Sequence, residues 1–166
     1  MASKYPYSRA LRTVGQALEK RRIDLFDLRW FQNKYFLQCG DPTPPHLSLV
    51  ELRYTVADLQ DLDLDARDHR AHSFKPVNFE GLPEILRALG RRVEEKDGQL
   101  SRICNSESSG TYSLIQLEYQ TRDGQRQVEE LRTAAVCDYA MRMHKERTRI
   151  QAASLKKDSS VRHSSK

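Results

Sequence analysis

Asp58, Asp61, Asp65 and Asp68 recur at i, i+3, i+7 and i+10, which sets four carboxylates in one stripe along a helix. His69 and His72 stand close by, so the segment has the residue types of a divalent-cation site. Asp61-Leu-Asp-Leu-Asp65 imitates the opening of a calcium loop. Ala66 stands where such a loop needs glycine, however, and His72 where it ends on glutamate. The plainer expectation is a solvated acidic face that holds no metal and serves as a partner-binding surface.

A second stripe carries the opposite sign. Arg142, Lys145 and Arg149 repeat at i, i+3 and i+7, and Lys156 and Lys157 follow them. This pattern suits an acidic protein surface or the phosphates of a nucleic acid. A third constellation lies on a predicted hairpin, where Arg29, Phe31, Lys34 and Phe36 share a face. Aromatic rings interleaved with cations in this way form a base-stacking surface, and Arg53 and Arg132 would add phosphate contacts. Asp27 and Glu51 sit on the same face, and the two phenylalanines stay open only if no other element covers them.

Signals for catalysis are missing. The chain has no Gly-rich phosphate loop, no nucleophile elbow, no His-Glu-x-x-His and no paired cysteines at zinc spacing. Neither a catalytic residue nor a cofactor nor a metal is expected. Cys39, Cys104 and Cys137 are odd in number and far apart, the usage of reduced structural thiols. No apolar run reaches the roughly 18–20 residues that span a bilayer, and Met-Ala-Ser-Lys-Tyr-Pro is no secretory leader. A cytoplasmic protein without membrane contact is expected.

The elements that must position these groups follow from an internal repeat. Residues 8–20 align without a gap on residues 83–95, with Leu11/Leu86, Arg12/Arg87, Gly15/Gly90 and Glu19/Glu94 in register. Glycine inside a helix costs roughly 1 kcal/mol against alanine, so its recurrence on the apolar face predicts close backbone approach. Each half then reads helix, three strands, helix. In the first half, a helix from Pro6 to Arg22 precedes the hairpin 24–31 and 34–39, a strand at 47–54, and a helix to Arg70 opened by the capping pair Thr55/Asp58. In the second, a helix at 83–96 precedes strands at 99–105, 112–121 and 126–132, with an Asp-Gly turn signal at Asp123-Gly124. A helix from Thr133 to about Ile150 closes it.

The predicted fold class is therefore α+β: two tandem αβββα repeats, antiparallel sheets with helices on one face, related by a pseudo-twofold. Residues 1–72 form the first repeat, 73–81 a linker, 82–151 the second repeat, and 152–166 a basic disordered tail. Of the net charge of +5, the segment from Arg142 onward contributes +6, so the rest of the chain is nearly neutral and the basicity belongs to the C-terminal end.

The element order helix–three strands–helix is similar to that of double-stranded-RNA-binding domains, and tandem halves are similar to the TATA-box-binding fold. The lysine cluster that opens the last helix of the RNA-binding domains is replaced here by Thr55-Val-Ala-Asp-Leu and Thr133-Ala-Ala-Val-Cys. The sequence therefore assigns no family. It predicts a non-enzymatic interaction protein that docks or self-associates through its acidic and basic helices. The alternative is a nucleic-acid binder using the basic C-terminal helix and tail with the aromatic hairpin face.

Overall fold

A computed structural model describes residues 5–40, 48–70, 77–106 and 114–163. Helix α1 (Tyr7–Arg21) starts directly after Pro6, whose fixed φ suits the entry to a helix, and ends on Arg22 in the left-handed region. Its Leu11, Val14 and Leu18 recur at helical spacing and are fully buried. Strands β1 (Asp24–Phe31) and β2 (Lys34–Gly40) form the predicted hairpin. The turn residues Gln32 and Asn33 both take positive φ, the conformation that matches the twist of a two-residue hairpin. Strand β3 (Leu49–Thr55) runs into α2 (Val56–Arg70). The junction is a reciprocal cap, in which Thr55 N–H donates to Asp58 and Asp58 N–H donates to Thr55 Oγ1. The second half continues as α3 (Leu82–Glu95), β4 (Gln99–Ser106), β5 (Leu114–Gln120), β6 (Arg126–Arg132) and α4 (Thr133–His163).

The two halves share one sheet. Strands β1 and β4 pair antiparallel through Asp27/Cys104, Leu28/Ile103 and Arg29/Arg102, giving six strands in the order β3-β2-β1-β4-β5-β6. One row of side chains, Leu52-Leu37-Leu28-Ile103-Leu117, crosses five strands on the helix side. It joins the apolar faces of α1 and α3 in a single core. Helices α1 and α3 pack on each other, α2 lies against α1 and β3, and α4 lies against α3 and β6. The helix layer thus reads α2-α1-α3-α4, with the helices packed on the sheet.

The glycines sit where α1 and α3 meet. A Cβ on Gly15 would stand 2.5 Å from Pro83 Cα, and one on Gly90 would stand 2.6 Å from the Ser8 backbone nitrogen. Both are backbone contacts, so the close approach expected from the sequence is present. Each central strand also carries a bulge, at Phe26 in β1 and at Ser101 in β4.

Three details depart from what simple periodicity predicts. The bulge breaks the alternation in β1, so Leu25 pairs with core-facing Cys39, while Phe26 lies against Gly40 and is 37% exposed. Among the described side chains of α2 the buried ones are Leu59 and Asp63, while Leu62 is exposed; Asp63 is drawn in by Arg9 and Tyr5. Finally, α4 does not stop near Ile150 but continues to His163, so residues 152–163 of the tail expected to be disordered are helical. Ala152, Ala153, Leu155, Lys156 and Lys157 are good helix formers, and this local preference extends the helix where no apolar periodicity announced it.

Candidate functional site

The sheet face opposite the core collects Arg29, Phe31, Lys34 and Phe36, as the alternation in the hairpin requires. Arg29 pairs with Phe36 across β1 and β2, and Phe31 pairs with Lys34. Phe31 is 62% exposed. Register adds two further arginines, because Phe36 faces Arg53 on β3 and Arg29 faces Arg102 on β4. Arg53, Phe36, Arg29 and Arg102 therefore form one line across four strands, about 14 Å long at the usual strand spacing. The Arg53 guanidinium lies 5.5 Å from the Phe36 ring centroid, a cation–π contact.

Carboxylates hold this cationic line in place. Asp27, 8% exposed, accepts from Arg29 Nε at 3.1 Å and from Arg102 Nε at 2.9 Å. The hydrogen bond to Asp27 raises the Arg102 pKa above its ordinary value. Glu118, 6% exposed, accepts from Gln116 and from Arg126 at 2.9 Å. Two arginines thus share Asp27, and Glu118 faces Arg102 from β5, so carboxylates lie among the cations of this line. Planar guanidinium groups fixed in this way offer stacking faces and bidentate donors together.

The acidic stripe lies at one edge of the helix layer. Asp58, Asp61 and Asp65 are exposed. Hydrogen bonds from Thr55, backbone first and side chain second, lower the Asp58 pKa, so that carboxylate also caps its own helix. The side chains of Asp68 and His69, and residue His72, lie outside the described residues. Arg142, Lys145, Arg149, Lys156 and Lys157 lie on α4 at the opposite edge, and every residue from Lys145 to Ser159 is exposed. At 1.5 Å per residue, this part of α4 extends for about 20 Å without a buried side chain. The two charged helices are separated by α1 and α3 in the layer and pack on different neighbours.

The three cysteines are free. Burial pushes the Cys39 thiol up to about 11 and raises Cys104 and Cys137, which suppresses thiolate chemistry. Among the described residues no cluster of His, Cys, Asp and Glu is arranged to hold a metal, and no helix is long and apolar enough to cross a membrane.

Sequence reasoning identified Arg29, Phe31, Lys34, Phe36 and Arg53 but missed Arg102. Its place beside Arg29 depends on β1 pairing with β4, and no residue pattern within either strand announces that pairing. Set beside known proteins, the chain matches no family model, no curated protein and no solved structure.

Proposed function

We propose that the protein is a non-catalytic, cytoplasmic binding module whose uncovered sheet face takes single-stranded nucleic acid, with α4 as an accessory basic arm. One observation carries this reading: the line Arg53-Phe36-Arg29-Arg102, with exposed Phe31 beside it, lies on a face that the core does not use. A single strand would stack two or three bases on Phe31, Phe36 and the guanidinium planes while its phosphates meet Lys34 and the arginines. The odd number and wide spacing of the three free cysteines support a reducing compartment.

The test is fluorescence anisotropy of the full chain with short thymidine and uridine oligonucleotides over a salt series. Binding should weaken as salt rises, and Phe36→Ala should cost about 1–3 kcal/mol. Arg102→Gln should weaken binding and flatten the salt slope. Absence of binding at low salt, or equal binding by Phe36→Ala, would falsify the reading.

A second reading is favoured by the separation of the charged helices. With Asp58, Asp61 and Asp65 exposed at one edge and Arg142, Lys145 and Arg149 at the other, the acidic helix of one copy can engage the basic helix of another. Asp61→Lys with Asp65→Lys should abolish any self-association seen by sedimentation velocity. An unchanged sedimentation coefficient distribution removes this reading.

Both readings rest on an architecture that we infer to be two duplicated αβββα units, 1–72 and 82–151, about a pseudo-twofold axis. The supporting geometry is reciprocal. Gly15 faces Pro83 while Gly90 faces Ser8, and these are equivalent positions in the aligned segments. The bulges at Phe26 and Ser101 are also equivalent, as are Leu28 and Ile103, which pair with each other at the centre of the sheet.

A further inference from the structure

A cleft of about 680 Å³ opens on the helix layer, bounded by α1, α3 and α4 and by Asp63 of α2. Its lining includes Arg9, Arg12, Arg87, Arg91 and Arg147. Glu84, 5% exposed, lies between two of them, with Arg12 Nε at 3.1 Å and Arg87 Nη1 at 3.4 Å. Neither approach has hydrogen-bond geometry, and Arg12 Nε and Glu84 Oε2 are buried without a hydrogen-bond partner.

The other acids around the cleft do not complete the set. Asp63 is taken by Arg9 at 2.6 Å and by Tyr5. Glu95 stands 3.5 Å from Arg91, which also pairs with Glu94. Glu146 lies on the lining as well. Among the described residues Arg147 has no ion pair. A guanidinium carries five N–H donors, so Arg12, Arg87 and Arg147 hold far more donors than the one carboxylate between them accepts. Burial lowers the Arg87 pKa most; Glu84 counteracts it, and the charges of Arg12, Arg147 and Arg91 lower it further. The positive charges are crowded.

We propose that this cleft binds a diphosphate-bearing anion, with Arg12 and Arg87 gripping it from one side and Arg147 and Arg91 closing on it. Over the whole cleft five guanidinium groups meet Asp63, Glu84, Glu95 and Glu146, a surplus of one charge, while the donors left without acceptors gather on Arg12, Arg87 and Arg147 and ask for an anion with several acceptor oxygens. Phosphate oxygens match the planar fork of arginine. The volume exceeds one phosphate and falls within the range of small-ligand sites. Glu84 orients Arg12 and Arg87 in advance, so little side-chain freedom is lost on binding. The site lies on the helix layer, away from the sheet face assigned to nucleic acid, and stands or falls separately from it.

The probe is inorganic pyrophosphate, titrated into the full chain by isothermal calorimetry. Saturable binding is expected, with orthophosphate weaker. Arg147→Gln and Arg91→Gln, both at exposed positions, should each weaken it about tenfold, and each variant's unchanged melting curve verifies its fold. Arg122→Gln, an exposed arginine in the β5–β6 turn, should leave binding unchanged. The proposal is overturned by absence of saturable binding at millimolar pyrophosphate. Equal affinity for orthophosphate, undiminished binding in both cleft variants, or an equal loss in Arg122→Gln would overturn it as well.

Discussion

Replacing Gly15 or Gly90 by alanine should destabilise this protein, although the same change in an exposed helix stabilises it. Alanine gains roughly 1 kcal/mol of helix propensity over glycine. Here the new Cβ would stand 2.5 Å from Pro83 Cα and 2.7 Å from Pro83 N in one case. In the other it would stand 2.6 Å from Ser8 N and 2.7 Å from Ser8 Cα. Ordinary contact begins near 3.4 Å, so α1 and α3 must part by about 1 Å along a densely packed interface. Overpacking of this kind costs about 1–3 kcal/mol, and an unyielding backbone neighbour puts both sites at the upper end. The net loss should be about 2 kcal/mol for each, or about 4–8 °C in Tm. Gly90→Ala should cost the more, because Ser8 N–H and Ser8 Oγ both donate to Glu94 at 2.9 Å and would be displaced. Since one separation of the helices relieves both clashes, the double variant should lose about 1 kcal/mol less than the sum of the singles. Urea unfolding of the four proteins measures all three quantities. A stabilised single variant refutes the packing argument, and strict additivity refutes the shared interface.

Two further outcomes follow from charged groups on the helix side of the sheet. Burial raises the Glu129 pKa, but hydrogen bonds from Arg92 and Tyr119 and the charges of Arg92 and Lys96 outweigh it, leaving the carboxyl below its ordinary 4.5. A depressed folded-state pKa stabilises above the unfolded value and ceases to do so as pH falls through the folded value. The Tm difference between the protein and Glu129→Gln should therefore be full at pH 6 and shrink steadily below about pH 4.5; a difference that is constant from pH 6 to pH 3 contradicts it. Glu84→Gln removes the carboxylate shared by Arg12 and Arg87, and breaking a buried pair costs about 3–5 kcal/mol. With Arg12 29% exposed, solvent screening brings the expected loss to about 2–3 kcal/mol, and a urea midpoint equal to that of the parent would show that Glu84 is not their counter-ion.

The order of elements was legible because each has a local cause. The Pro6 entry, the Thr55/Asp58 cap, the Gln32-Asn33 turn and the period-two runs of β2 and β5 act within a few residues. What failed needed information from further away. Simple alternation along β1 would place Phe26 on the core face, and the bulge that removes it depends on pairing with β2. Helical spacing from Leu59 would bury Leu62 in α2, but an ion pair with Arg9 turns Asp63 inward instead. Arg29, Phe31, Lys34 and Phe36 share a face through the local hairpin register, whereas the extension of that face to Arg102 waited on β1 finding β4.

In the proposed duplication, the charge pattern around the cleft is one that neither copy alone would have. In the aligned segments Arg12 corresponds to Arg87, whereas Arg9 corresponds to Glu84. Two arginines at the aligned positions would face each other across the α1–α3 contact with no counter-ion, a costly arrangement for partly buried groups. A carboxylate at one of the two remaining positions relieves it, and Glu84 does this from α3, while Arg9 turns away to Asp63. Glu84 cannot satisfy both guanidinium groups with good geometry, so surplus donors persist at the base of the cleft. Arginine at both positions would raise the charge without a pre-oriented pair, and glutamate at both would cancel it. The asymmetry between Arg9 and Glu84 is what leaves a fixed, partly compensated cationic site near the centre of the helix layer.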